Sequence, residues 1–362
     1  MRNSNFTHGG NIYKHAKELN IPPSEIIDSS ASLVPFPPPE FLIKALYSVL
    51  ESQSFQFYPE SNLNKIREVI ADFHNINQEN IMPGNGASEL ITWIGNTAAN
   101  LGKNCLLTPG FVDYERSLNC WKGECIFEEL PKKCQSNFSQ KFPLKPITDV
   151  IWITNPHNPS GHLWKRASIE DILNEYKLVI CDEAFLSITP NGEKESLIPL
   201  IKKYKNLIVI RSLTKLFNIA GIRLGYAIAS PETIENLNHK RDPWPLNTFA
   251  IEAGIKLLEN NSRYENWTLQ IHNWIIAEKD FLRKELSKIK HLNVYNSATN
   301  FFLIENKNSL KPAIKYLASK GILIRDCSSF RSLDNKWARI SLKNHENNQI
   351  IANELINFLG TD

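Results

Sequence analysis

The stretch Leu207-Ile208-Val209-Ile210-Arg211-Ser212-Leu213-Thr214-Lys215 joins four consecutive apolar residues to an arginine, two hydroxyls and a lysine. A short apolar run that ends in polar residues reads as a buried strand, here Leu207–Arg211. Similar runs lie at Cys105–Thr108, Val150–Thr154, Leu178–Cys181 and Leu224–Ala229. The starts at 150, 178 and 207 are nearly evenly spaced, and each gap has room for a helix such as Ile169–Tyr176 or Leu197–Tyr204. Strands alternating with helices predict an α/β fold whose mostly parallel sheet is covered on both faces.

Outside this block the pattern changes. Pro35, Pro37, Pro38 and Pro39 read as an extended connector. A helical stretch, Asn266–Ile289, carries Trp267, Ile271, Trp274, Ile275, Phe281, Leu282 and Leu286 near helical spacing. Short strands are expected at Leu292–Tyr295, Asn300–Ile304, Ile322–Arg325 and Trp337–Leu342, with a final helix at Asn347–Leu359. The organisation expected is a large domain over residues 41–250. A smaller α+β domain is expected from residues 1–40 and 251–362.

Composition excludes several classes. The 362 residues are 42% hydrophobic and 22% charged with a net charge of +3, too little basicity to imply nucleic acid or a membrane surface. No run approaches the ~18–20 apolar residues of a membrane span, and Met1–His8 is polar, so a cytoplasmic location is expected. The six cysteines show neither a CxxC pair nor Cys/His ligand spacing, so reduced thiols and no metal site are expected. Cys181, inside an apolar run, is expected to pack as a small hydrophobe.

In open parallel sheets ligands bind beyond the carboxyl ends of the strands, and five motifs fall there or at a helix start. Lys215 follows Ser212 and precedes Arg223: a strand-end lysine can form an imine with an aldehyde cofactor, and a hydroxyl and an arginine can hold its phosphate. Asp182, after Leu178–Cys181, could pair with a protonated pyridine nitrogen. Asn155-Pro156-His157-Asn158-Pro159-Ser160-Gly161 follows Val150–Thr154 and could present Asn158 to a ring oxygen. Gly84-Asn85-Gly86-Ala87-Ser88-Glu89 opens an apolar helix whose free N–H groups suit a phosphate. Phe111, after Cys105–Thr108, could stack on a ring. Singly, each has an ordinary reading: a loop lysine, a capping carboxylate, a turn, a glycine-rich helix start and a core aromatic.

Taken in order and spacing, these residues resemble the fold-type-I pyridoxal-phosphate (PLP) enzymes, the aspartate-aminotransferase superfamily. That resemblance implies PLP as cofactor, with Lys215 as its Schiff-base lysine and Asp182 as partner of the pyridine nitrogen. It also implies Asn158 at the ring oxygen, Phe111 stacked, and Ala87, Ser88, Ser212 and Arg223 at the phosphate. Arg339, in Trp337-Ala338-Arg339-Ile340-Ser341, matches the family's substrate-carboxylate arginine. Tyr58 matches a tyrosine that reaches the cofactor phosphate across a homodimer interface.

Three further segments narrow the resemblance: His8-Gly9-Gly10-Asn11-Ile12, Ile27-Asp28-Ser29-Ser30-Ala31-Ser32 and Asp242-Pro243-Trp244-Pro245-Leu246-Asn247. They are similar to the openings and the P-W-x-x-N stretch of the cobalamin-pathway threonine-phosphate decarboxylases. Substrate-binding positions then map onto His8, Gly9, Ser32, Asn158, Arg325 and Arg339, and the substrate implied is a small phosphorylated amino acid. The chain departs from the pattern at Ser32 and Val34, where asparagines are usual, and at Phe185, where most aminotransferases have tyrosine. The activity implied is decarboxylation of O-phospho-L-threonine. The alternatives are an aminotransferase acting on histidinol phosphate or a similar amino acid, and a non-enzymatic PLP-binding protein. Intact Lys215, Asp182 and Arg339 speak against the last.

Overall fold

The structure, a computed structural model, describes residues 9–130, 142 and 148–360. His8 and Cys134 lie outside the described residues. The described strands are β1 (Ile27–Ser29), β2 (Ile81–Asn85), β3 (Asn104–Thr108), β4 (Cys125–Glu129), β5 (Val150–Thr154) and β6 (Leu178–Asp182). After them come β7 (Leu207–Ser212), β8 (Leu224–Ile228), β9 (Leu292–Val294), β10 (Phe301–Asn306), β11 (Ile322–Asp326) and β12 (Trp337–Ser341).

Seven strands form one sheet in the order β2-β8-β7-β6-β5-β3-β4. From β7 to β4 all neighbours are parallel; β8 runs antiparallel to both β7 and β2. The apolar runs are continuous because both faces are covered. Along β7, Leu207 and Val209 enter the core on one face, and Ile208 and Ile210 enter the core on the other. The helix Gly86–Leu101 closes the second face with Leu90, Ile91, Ile94 and Ala98. The chain passes from β3 and β4 back to β5, which lies on the other side of β3. The strand order therefore reverses between β3 and β5. A crevice opens at such a switch point, outside the carboxyl ends of the strands.

Five strands form a second sheet, β1-β11-β12-β10-β9. N-terminal β1 joins it as a parallel neighbour of β11, with Ile27 opposite Ile322. The long helix Asn261–Leu286 buries Ile271, Ile275, Leu282 and Leu286 in the core that also holds Phe301, Phe302 and Ile304 of β10.

The structure adds to and alters the expected elements. β2 and β4 carry weak strand signals. β2 contains Pro83 and Gly84 and is tolerated as a strand because it lies at the sheet edge, where a missing N–H costs little. β4 is a half-buried edge strand ending in Glu128 and Glu129. The expected helix Leu197–Tyr204 reduces to a single 3-10 turn, Ile198–Leu200, because Pro199 suits a first turn and no further one. The expected Ile169–Tyr176 helix is Arg166–Glu170 followed by a 3-10 turn, Leu173–Glu175. Cys181 is fully buried among apolar side chains, and the five described cysteines are free thiols.

Core packing sets the scale of stability. Ile208 is fully buried, whereas Leu269 is 59% exposed. Ile208→Ala is expected to destabilise by about 2–5 kcal/mol and Leu269→Ala to stay within about 0.5 kcal/mol. Urea unfolding monitored by circular dichroism checks both; equal midpoints for the two variants would contradict the packing described.

Candidate active site

A cavity of about 230 Å³ opens where the carboxyl ends of the large sheet meet the second sheet. Asp182 ends β6 and is buried. Its Oδ1 accepts the Ala184 N–H at 2.9 Å and its Oδ2 accepts the Tyr114 hydroxyl at 2.8 Å. Tyr114 has one proton to give, so Thr154 Oγ1, at 2.8 Å, donates to it. Burial raises the Asp182 pKa, and the Ala184 N–H, the Tyr114 hydroxyl and the Lys215 ammonium oppose that rise. These donors offset part of the cost of burying its charge, and a carboxylate placed in this way is a ready partner for a cation.

Lys215 lies on the short helix Thr214–Phe217 that follows β7. Burial is the main reason its pKa falls to about 8; the Arg339 and Arg223 charges push the same way, and Asp182 opposes them. A neutral amine is thus available near neutral pH, as imine chemistry requires. The amine stands 5.6 Å above the centroid of Phe185, which has no hydroxyl to offer it. Behind the lysine, the N–H of buried Val34 donates to the Lys215 carbonyl at 3.4 Å.

On the β2–β8 side, the helix Gly86–Leu101 points its N-terminus at the cavity. Gly86 has φ +73°, and a Cβ there would stand 2.5 Å from Nη2 of Arg223. Glycine therefore lets the guanidinium settle over the first turn. Gly225 serves the same end on β8, since a Cβ there would meet the Ala87 nitrogen at 3.0 Å. Free N–H groups, the Ser88 and Ser212 hydroxyls and a guanidinium form a cradle for a phosphate monoester. A buried amine, a buried carboxylate, this cradle and the ring of Phe111 fit an aldehyde, a pyridinium, a phosphate and an aromatic ring, the parts of PLP.

The remaining wall comes from β12 and the N-terminal segment. Arg339 Nη1 donates to Asn158 Oδ1 at 2.5 Å and Nη2 donates to the Ser30 carbonyl at 3.0 Å. Arginine only donates, so the oxygen of Asn158 faces Arg339 and its NH₂ is left for the cavity. Nε of Arg339 is buried without a hydrogen-bond partner among the described residues. Burial, chiefly, lowers the Arg339 pKa to about 10, and the Arg325 charge adds to the fall. Ser30 is oriented by Asp28 Oδ1, which accepts its N–H at 2.9 Å and its hydroxyl at 2.6 Å. The Ser30 oxygen then accepts the Gly10 N–H at 2.8 Å. Gly9 lies so close that a Cβ would stand 2.5 Å from the Ser30 carbonyl oxygen.

The class I and II aminotransferase model matches residues 24–355. The chain belongs to that family. Two relatives illustrate its range. One, from Caldanaerobacter subterraneus subsp. tengcongensis, is provisionally named a threonine-phosphate decarboxylase; it is 33% identical over 97% of this chain and 93% of its own. The other is the histidinol-phosphate aminotransferase of Ruminiclostridium cellulolyticum, 30% identical over 88% of each chain. Among solved structures, histidinol-phosphate aminotransferase from Clostridium acetobutylicum superposes with TM-score 0.84 at 26% identity, over 93% of this chain and 100% of that one. L-threonine-O-3-phosphate decarboxylase from Porphyromonas gingivalis gives 0.80 at 26%, over 92% and 100%. The family fold is PLP fold type I, and PLP is its cofactor.

In this aminotransferase-family chain, Ala87, Ser88, Phe111, Asn158, Asp182, Ser212, Lys215 and Arg223 line one cavity together with Gly9, Ser32 and Arg339. The Ser32 hydroxyl is engaged with the Ser341 hydroxyl at 2.8 Å, which stitches the N-terminal segment to the strand carrying Arg339. Arg325 lines an adjoining cavity of about 180 Å³ with Gly9 and Gly10. Tyr58 stands apart from both; it is 79% exposed and stacks on Trp244 at 4.4 Å. Sequence reasoning missed Tyr114, whose only signal was its place three residues after Phe111, and Ser30, which reads as an ordinary turn serine.

The charge pattern makes a test. The rate at which the apoprotein's lysine condenses with an aldehyde should rise with pH through a midpoint near 8. Arg339→Gln removes a neighbouring cation and should raise the midpoint; Asp182→Asn removes an anion and should lower it. A midpoint near 10 that neither variant moves would contradict the site described.

Proposed function

We propose that this protein decarboxylates O-phospho-L-threonine to aminopropanol phosphate, with PLP carried on Lys215. The observation that carries the reading is the pairing of two buried arginines. Arg325 and Arg339 are directly opposed on β11 and β12. Both are more than nine-tenths buried, and burial lowers the pKa of each. Two adjacent guanidiniums out of water favour a ligand with two anionic groups. O-phosphothreonine carries a carboxylate and a phosphate; histidinol phosphate has no carboxylate. The likeness to the Caldanaerobacter relative, which extends over 97% of the chain, supports the same reading.

When bound, PLP supplies an aldehyde that condenses with amines and a ring that takes up electrons released at Cα. Asp182 would hold the ring nitrogen, its carboxylate oriented by the Ala184 N–H and the Tyr114 hydroxyl. Ala87, Ser88, Ser212 and Arg223 would hold the cofactor phosphate, Phe111 would stack, and the Asn158 NH₂ would meet the ring oxygen. Arg339 would hold the substrate carboxylate, and Arg325, beside Gly9 and Gly10, the substrate phosphate. The bond from Cα to the carboxylate breaks and CO₂ leaves. The ammonium form of Lys215, whose pKa lies near 8, would give Cα the proton that takes the place of the carboxyl group. The residues that orient the groups on Cα, Arg339 and Arg325 among them, would decide between this outcome and transamination.

The exposed aromatic patch around Tyr58 supports a homodimer with shared sites. Phe57 and Tyr58 are 73% and 79% exposed, and Trp244 is 44% exposed. A patch of large apolar side chains of this kind marks an interaction surface. In the dimer Tyr58 would reach the partner's cofactor phosphate. Mixing inactive Tyr58→Ala and Lys215→Ala variants should restore part of the activity through hybrids with one intact site. No recovery after verified subunit exchange would count against the shared site.

Reaction choice is tested by tracking products. O-phosphothreonine should release CO₂ without any 2-oxo acid, and free threonine should be a poor substrate. Loss of the phosphate should cost roughly tenfold to a hundredfold per lost charge-assisted bond. Arg325→Gln should penalise phosphothreonine far more than threonine. Dominant amino transfer from histidinol phosphate to a 2-oxo acid, with no CO₂, would overturn the decarboxylase reading and favour the aminotransferase.

A further inference from the structure

The segment that begins at Arg241 and contains Asp242-Pro243-Trp244-Pro245-Leu246-Asn247 lies outside the cavity yet holds the phosphate cradle from behind. Arg241 has a side chain only 3% exposed. It donates to both oxygens of Glu89, Nε to Oε1 and Nη2 to Oε2, each at 2.9 Å. Nη2 also donates to the Pro83 carbonyl at 2.8 Å. Glu89 sits in the first turn of the cradle helix and accepts the Asn85 N–H at 3.2 Å. The Asn85 carbonyl in turn accepts Nη2 of Arg223 at 3.5 Å. Glu89 and Arg223 therefore meet on the same residue, at the mouth of the cradle. Further along the segment, Asn247 Nδ2 donates to the carbonyl of Ile222, the residue before Arg223.

A carboxylate at that position poses a problem. It suits the positive end of the helix, but it also repels a phosphate dianion arriving at the first turn of the same helix. Arg241 removes the conflict by neutralising Glu89 with a bidentate, charge-assisted pair, the strongest geometry available between these two side chains. We infer that Arg241 and Glu89 form a charge-compensated clamp that sets the affinity of the cradle for the cofactor's phosphate monoester. Both are positioning residues: they act through Asn85 and the helix start rather than by touching the cofactor. The inference rests on the reading of the cradle as the phosphate site.

The test uses the full-length protein, resolved from its cofactor and titrated with PLP and, separately, with pyridoxal, which lacks the phosphate. R241Q leaves an uncompensated carboxylate beside the cradle and should weaken PLP binding by about tenfold or more while leaving pyridoxal within about twofold. R241K should fall between R241Q and the wild type. The double variant E89Q/R241Q removes the carboxylate as well and should recover to within about threefold of the wild type. A double variant as weak as R241Q, or an equal loss for pyridoxal, would overturn the inference. If R241Q does not fold, E89Q decides: PLP should bind at least as tightly as in the wild type, and a tenfold loss would contradict the clamp. R223Q separates this failure from failure of the underlying reading. Should R223Q leave the ratio of PLP to pyridoxal affinity unchanged, the phosphate binds elsewhere and the cradle itself is wrong. A collapsed ratio in R223Q with an unchanged one in R241Q would defeat the clamp alone.

Discussion

Removal of a lysine amine from water, beside one carboxylate and two guanidiniums, is the constraint on which the rest of this structure depends. In water Lys215 would be an inert ammonium at neutral pH. In the cavity its pKa falls to about 8 because burial disfavours the charge and Arg339 repels it. The same burial raises the Asp182 pKa and lowers that of Arg339, so these two charges are held above their ordinary free energy. Charges kept this way are preorganised for ligands that neutralise them, and the fold meets the cost with packing elsewhere.

The sheet explains how four such groups reach one place. Parallel strands share their carboxyl ends, so Asp182 at the end of β6 and Lys215 just after β7 emerge from neighbouring strands. Reversal of strand order between β3 and β5 opens the crevice that Phe111 and Asn158 flank. Arg339 arrives from the second sheet, and the N-terminal segment locks it there. Ser29 donates to the Ser341 carbonyl at 2.5 Å, Ser32 pairs with the Ser341 hydroxyl, and Ser30 receives the guanidinium itself. One carboxylate, Asp28, orients Ser30 for both the Gly10 N–H and Arg339. The positioning of Arg339 thus depends on a residue 309 positions away.

How much of this was legible in the sequence follows from the range of each interaction. The strands β5, β6 and β7 are buried on both faces, so their apolar runs announce them. Lys215, Asp182 and Asn158 stand out because each directly follows such a run. The free N–H groups of the helix start at Gly86, suited to an anion, are written in local backbone chemistry. β2 and β4 were hidden because edge strands tolerate Pro83, Gly84, Glu128 and Glu129. Tyr114 was hidden because its partner, Asp182, is 68 residues distant, and Ser30 because Arg339 is 309 distant. No local pattern encodes pairings at that separation; each exists only once the sheet that brings its partners together has formed. The Arg241–Glu89 pair belongs to the same class, 152 residues apart.

The claim at the centre is that the buried amine at the end of β7 is the covalent anchor of the cofactor. Reduction of the holoenzyme with borohydride, followed by proteolysis and mass mapping of the peptide carrying the cofactor, tests it most directly. The label is predicted on Lys215 alone, in the peptide that contains Ser212-Leu213-Thr214. A label on any other lysine, such as partly buried Lys279, whose pKa also falls to about 8, would contradict the site from its first residue outward.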